Sequence, residues 1–271
     1  MVRLDINRKR SGVPVLSRKQ IDDIGERLVQ DFCPDAMIHP QALDVDLFAQ
    51  DYLGMEQDYQ YLSHCGVYLG MTVFNDTNRV VVFNPEKQQA EYISARAKTI
   101  IIDNTLLDEK QEHRYRFTMG HEAAGHGVLH EAYFGYDRNQ LSMFDTVNEA
   151  AMIQCRTDSS KITSKDKRFW DDYDWMEWQA NAMSSAFLMP KKMVEMVAQE
   201  AKGKASRNNP GMAAYFMADA VSEIFNVSNE AALYRLKSLG LVDSGVQHQS
   251  AVYDFLGLFA EKTPEKCCIS V

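Results

Sequence analysis

Apolar positions recur at helical spacing over residues 17–31 (SRKQIDDIGERLVQD), where Ile21, Ile24, Leu28 and Val29 share a face and Ser17 stands as a candidate N-cap. Pro34 and Pro40 then interrupt the chain, and a second short helix is predicted over 41–54, carrying Leu43, Val45, Leu47, Phe48 and Leu53. The pattern next turns to β-branched and aromatic runs at 66–75 (GVYLGMTVFN) and 80–84 (VVVFN). Turn residues at 76–79 separate them, which predicts a hairpin. Residues 98–103 (KTIIID) predict a third strand, and their continuous apolar run points to burial on both faces.

From there the helical period dominates. One long helix is expected over about 110–134. Residues 135–170 are polar and irregular, with a possible short helix at 147–155, and read as an insertion or lid. A strong helix follows over about 171–188, ended by Pro190, which can itself open the next helix over 190–202. After a loop at 203–211, two helices near 212–225 and 228–239 form a pair with helix-turn-helix rhythm, and Gly240 caps the second. Beyond residue 244 only 251–261 shows an amphipathic pattern. The expectation is an α+β fold, mostly helical, with a small three-stranded sheet and a helical C-terminal part. One domain spans 1–243, with 135–170 as the insertion and 212–242 as the helical pair, and 244–271 is a tail.

Composition narrows the class. Apolar residues at 45% and charged residues at 25% suit a globular chain of 271 residues. Lys and Arg number 29 against 38 Asp and Glu, a net charge of −9, which disfavours broad nucleic-acid binding. The helical pair agrees, because Asp219, Glu223 and Glu230 outweigh Arg235 and Lys237 for a net of −1. Packing against the rest of the domain is therefore preferred to DNA reading for this pair. No apolar run approaches the roughly 20 residues a membrane span needs. The basic N-terminus lacks the apolar segment of a signal peptide. Five cysteines without CxxC spacing read as free thiols in a reducing cytoplasm, Cys155 included.

The chemistry concentrates in residues 116–130, RFTMGHEAAGHGVLH. Histidines can hold zinc as neutral imidazoles, and a neighbouring carboxylate can move a proton. The usual zinc-protease spacing is H-E-x-x-H, whereas His121 and His126 stand five apart, with Glu122 directly after the first. On a regular helix residues four apart are about 40° from alignment and residues five apart about 140°. Three readings follow. A π-bulge absorbs the extra residue, so that His121 and His126 ligate and Glu122 serves as general base. Alternatively the helix stays regular and Glu122, His126 and His130 align as ligands. In the third reading the histidines are structural. The first keeps two ligands and a base, and is preferred.

The same stretch resembles the core of the ImmA/IrrE metallopeptidases, whose pattern runs RFTxAHExGHxxLH. The resemblance extends to KTIIIDN before it, to EWQAN at 177–181 followed by AFLMP, and to VSNEAALYRLKSLG at 227–240, and so covers residues 17–242. The extra alanine is the departure from the family pattern. The resemblance implies a zincin-like fold, one zinc ion, and Glu177 as the third ligand. A carboxylate among Trp175, Met176, Trp178 and Ala180 agrees with that, since a catalytic zinc takes three protein ligands and keeps one position open. Asn181, one turn on, is expected to orient a ligand histidine, and His130 to pack behind the ligands. The implied function is a cytoplasmic zinc endopeptidase acting on a specific protein substrate, a transcriptional repressor. The alternative is a pseudoprotease that binds a regulator without cutting it. No direct nucleic-acid or membrane partner is expected. Tyr115 and Arg116 stand too near the helix start to be assigned as an oxyanion donor, and Tyr133 and Tyr136 are only loose candidates.

Overall fold

The computed structural model of the chain describes residues 4–134, 152–156, 166–208 and 212–246. Helix α1 (Arg18–Phe32) opens with a reciprocal cap: the Ser17 hydroxyl accepts from the Gln20 amide, and the Gln20 side chain accepts from the Ser17 N–H. Its buried face is the predicted one, Ile21, Ile24, Leu28 and Val29. The second predicted helix is a short α turn, α2 (Val45–Leu47), running into a π-helical segment over Phe48–Tyr52.

Among the described residues six strands follow, β1 (Glu56–Gln60), β2 (Tyr68–Val73), β3 (Thr77–Asn84), β4 (Gln89–Ala95), β5 (Thr99–Asp103) and β6 (Met152–Arg156). Four of them form a sheet in the order β1-β5-β2-β6, and among the described residues β3 pairs only with β4. β5 runs parallel to β1 and antiparallel to β2, with Ile102 opposite Gly70 and Ile100 opposite Thr72. Because side chains alternate along a strand, Ile100 and Ile102 enter the main helical core. Ile101 enters a smaller core with Leu62, Met71, Val73, Val80 and Val82, beneath the β3–β4 hairpin. That is why the apolar run of β5 is continuous.

Three expectations change here. The runs 66–75 and 80–84 do not pair with each other, because β2 is claimed by β5 and β6. The tight turn lies at 85–88 instead, where Asn84 Oδ1 accepts from the amides of Glu86 and Lys87 and Gln88 takes a positive φ of 52°. The possible helix at 147–155 gives way to β6 over its second half, while 147–151 lies outside the described residues, as does the 251–261 stretch.

The predicted long helix is α3 (Glu112–Gly120), a π-helical segment (His121–Gly127) and α4 (Glu131–Phe134). Helix α5 (Asp172–Leu188) is capped by Asp171 and Asp174 and lies along this run and against α1. Pro190 opens α6 (Lys191–Asn208), its carbonyl accepting from the Val194 N–H. Helices α7 (Ala213–Phe225) and α8 (Asn229–Ser238) close the described chain. Gly240, at φ 72°, ends α8 with its N–H on Lys237 and the Leu241 N–H on Leu236. The pair's apolar face, Val221, Phe225, Ala232, Leu233 and Leu236, joins the main core. Arg235 is fully buried and donates to Asp22 on α1 at 2.6 Å, so that cation is directed inward. Among the described residues no helix is long and apolar enough to cross a membrane.

Candidate metal centre

The turn that carries the histidines is widened. Val128 donates its N–H to the Ala123 carbonyl, five residues back, and an α-type bond from His130 to His126 follows. The sequence permits this through its small residues. A Cβ on Gly125 would stand 2.7 Å from Ala180 Cα, so glycine lets the widened turn lie directly on α5. The close approach matters because α5 brings the third candidate ligand, Glu177.

The widening aligns what a regular helix would separate. His121 Nε2 and His126 Nε2 are 2.9 Å apart. Glu177 faces both from α5, one oxygen 3.6 Å from His121 Nε2 and the other 3.3 Å from His126 Nε2. Both imidazoles are fully buried, and the Glu177 side chain is 18% exposed. Burial pushes His121 down to about 4, with Glu177 and Asn181 pulling the other way and His126 adding to the shift. Burial likewise pushes His126 down to about 3. Both rings are therefore neutral at neutral pH. His121 donates Nδ1–H to Asn181 Oδ1 at 3.1 Å, which leaves its Nε2 as a lone pair.

The result is two buried imidazole nitrogens and a carboxylate converging, and with the proton of each ring on Nδ1 they meet as acceptor against acceptor. Such a set is repulsive unless a cation lies among its members. Bonds of about 2.0–2.2 Å in a tetrahedral site put ligand atoms roughly 3.3–3.6 Å apart; the two distances to Glu177 match this, and the 2.9 Å between the imidazole nitrogens is shorter. His121, His126 and Glu177 thus form a group that could hold a metal ion, and the donor set suits zinc.

Glu122 lies beside this group and is completely buried. Its Oε2 accepts from Thr72 Oγ1 on β2 at 2.6 Å, and among the described residues Oε1 has no hydrogen-bond partner. A Cβ on Gly70 would sit 2.7 Å from that Oε1, so the bare glycine of β2 leaves the space beside it open. Burial pushes the Glu122 carboxyl well above the usual carboxylate range. The Thr72 hydrogen bond opposes the shift and the Glu177 charge adds to it. A carboxyl so placed has a raised appetite for a proton.

His130, also buried, lies behind His126 with its ring tilted to it, their Nδ1 atoms 2.8 Å apart, and its Nε2 meets Gln179 Oε1 at 3.0 Å. The regular-helix alternative, with Glu122 and His130 as ligands beside His126, is not the arrangement found. Tyr115 and Arg116 are engaged elsewhere, Tyr115 with Asp46 and Tyr59, Arg116 with the carbonyls of Leu43 and Asn226. Tyr133 packs on Phe134 and Tyr173. Tyr136 and the side chain of Cys155 lie outside the described residues. Thr72, Gly70 and Gln179 were not singled out by sequence reasoning. Gln179 lies inside the EWQAN motif, and its position between Glu177 and Asn181 was the available signal.

Residues 137–237 match a family model described as Peptidase_M78, the IrrE N-terminal-like domain. The span covers α5 with Glu177 and Asn181, and it begins after the widened turn, so it leaves out the histidine motif. The matched model is of the family that the sequence motifs resemble, over part of the chain. No curated protein matches the chain.

Proposed function

We propose that this protein is a zinc-dependent endopeptidase that cuts a specific cytoplasmic protein by attack of an activated water. The observation that carries the reading is the convergence of three buried or half-buried acceptors, His121 Nε2, His126 Nε2 and the Glu177 carboxylate. Zinc bound among them supplies Lewis acidity, which acidifies water and polarises a peptide carbonyl. His121 and His126 contribute neutral nitrogens, and Glu177 contributes the anionic charge from the more exposed side. Glu122 takes the proton from the attacking water and returns it to the leaving amine. Thr72 ties down one of its oxygens and leaves Oε1 for that exchange.

The resemblance to the ImmA/IrrE peptidases supports a transcriptional repressor as substrate. The inward direction of Arg235 and the acidic balance of the chain support a protein partner over nucleic acid. One observation favours the second reading, a module that keeps the centre and binds a regulator without cutting it: Glu122 is completely buried.

The test is the Glu122→Gln protein beside the wild type, each assayed for zinc content and for cleavage of proteins from the same cytoplasm by N-terminal peptide mapping. The proposal expects equal zinc and a set of cleavages that vanishes in the variant. Zinc loss in Glu122→Gln would make Glu122 a ligand and contradict the assignment. A wild type that loads zinc and captures a partner but leaves it intact would favour the binding module.

A further inference from the structure

His126 differs from His121 in what stands behind it. The Nδ1 of His121 meets an amide oxygen, which can only accept. The Nδ1 of His126 meets another imidazole nitrogen, Nδ1 of His130, at 2.8 Å. Either nitrogen could carry the shared proton. With the proton on His130, neutral His126 would carry its own proton on Nε2, pointing at His121 and away from any role as a ligand. With the proton on His126 Nδ1, the Nε2 lone pair faces the centre. Something must choose.

The choice is made two residues beyond Glu177. Gln179 is buried, and its amide nitrogen donates to the Pro14 carbonyl at 2.7 Å. A main-chain carbonyl cannot donate, so the amide orientation is fixed and Oε1 is turned to His130 Nε2 at 3.0 Å. That oxygen requires an N–H from His130. Neutral His130 then has a bare Nδ1, which accepts from His126 Nδ1–H, and His126 Nε2 is left as a lone pair. His130 is fully buried and its two ring nitrogens meet an imidazole and an amide oxygen, surroundings that suit a neutral ring with one proton to place.

Pro14 is itself held in position. The segment around it folds back on itself, with the Val15 N–H on the Asn7 carbonyl at 2.8 Å and the Lys9 N–H on the Val13 carbonyl at 2.8 Å. Arg8 donates to the Leu129 carbonyl at 2.9 Å, next to His130, and Val13 is fully buried against Phe134 and Met176. The N-terminal fold-back is thus anchored on the same stretch of chain whose proton its carbonyl governs.

We propose that the Pro14 carbonyl, Gln179 and His130 form a positioning relay that fixes the proton of His126 on Nδ1 and so holds its Nε2 ready for zinc. Gln179 and His130 are positioning residues, and the N-terminal segment belongs to the centre although it supplies no ligand. The inference rests on the reading of His121, His126 and Glu177 as a zinc site. Partners behind a ligand histidine are worth about 10–100-fold in metal affinity.

The experiment measures zinc affinity by chelator competition in wild type, Gln179→Leu, His130→Phe and His130→Asn, with circular dichroism and thermal melting to establish folding. Gln179→Leu and His130→Phe should each weaken zinc by about tenfold or more. His130→Asn, whose amide oxygen can still accept from His126 Nδ1–H, should recover most of that loss, which a merely structural role for the ring would not produce. Histidine nitrogen NMR of the zinc-free wild type gives a readout independent of any variant: His126 should be protonated at Nδ1 and bare at Nε2. A proton on Nε2, or Gln179→Leu protein that binds zinc as tightly as wild type, overturns the relay alone. Wild-type protein that takes up no zinc overturns the metal reading beneath it.

Discussion

Among the described residues two segments adopt the same widened helical turn, and one of them carries the candidate metal centre. Over Phe48–Tyr52 the Leu53 N–H reaches back five residues to the Phe48 carbonyl, as Val128 does to Ala123 in the second segment. In the first segment the widening serves packing. Phe48 is fully buried, stacks on Tyr52 at 5.2 Å and meets Phe187 at 4.2 Å, while the Tyr52 hydroxyl donates to Asp31. In the second, the side chains at the ends of the turn are imidazoles, and the neighbouring helix offers a carboxylate and not a phenyl ring. A π turn is therefore a device for alignment. What it aligns is decided by the residues at its ends and by how closely the facing helix can approach.

The comparison breaks most visibly on metal content. His126→Ala should reduce zinc from one ion per chain to background after dialysis, as read by elemental analysis, because two remaining ligands do not make a zinc site. Phe48→Ala should leave one zinc per folded chain, and a loss of zinc there would erase the distinction between the two turns. Stability reverses the order. Phe48→Ala removes a fully buried ring from the main core and should cost about 3–5 kcal/mol in urea unfolding. Gly125→Ala tests the approach of the facing helix. Its Cβ meets the Ala180 backbone, so a loss of about 1–3 kcal/mol is expected together with weaker zinc binding. Unchanged zinc affinity in that variant would show that the spacing to α5 does not govern the site.

The smallest effect is a pH dependence peculiar to the second turn. Burial holds His121 to about 4 and His126 to about 3, against 6.5 in an open chain. As the pH falls below 6.5, the unfolded chain takes up protons that the folded chain refuses. The stability of the zinc-free protein therefore declines from 6.5 down towards the folded values, and it is unaffected by these groups above 6.5. Melting temperatures of zinc-free protein between about pH 7 and about pH 5 should show the decline, with a shallower slope in His126→Ala and an unchanged slope in Phe48→Ala. Equal slopes in all three would contradict the account.

This contrast also explains what the sequence made legible. The helix carrying Ile21, Ile24, Leu28 and Val29 announced itself by period, and so did α5 to α8, because a helix is a local object. The second π turn was legible through a broken rule, two histidines five apart where four were expected. The first was not, because Phe48 and Tyr52 violate no spacing that a reader would watch. Strand partners were harder. The stretches 76–79 and 85–88 both look like turns, and only the claim of β5 and β6 on β2 decides which closes a hairpin. Arg156 pairs with Tyr68 on β2 from 88 positions away in sequence, a pairing that no local pattern encodes. At the site, His121, Glu122 and His126 were readable from their spacing, and Glu177 with Asn181 from the family resemblance. Gln179 was in view but not assigned, because its meaning comes from Pro14, 165 positions away in sequence.

The central claim is that the widened turn brings His121, His126 and Glu177 to one ion. X-ray absorption at the zinc edge of the loaded wild-type protein tests it most directly. The account predicts one zinc per chain, with two imidazole nitrogens at about 2.0–2.1 Å and oxygen completing the shell. A shell with one imidazole or none would contradict it.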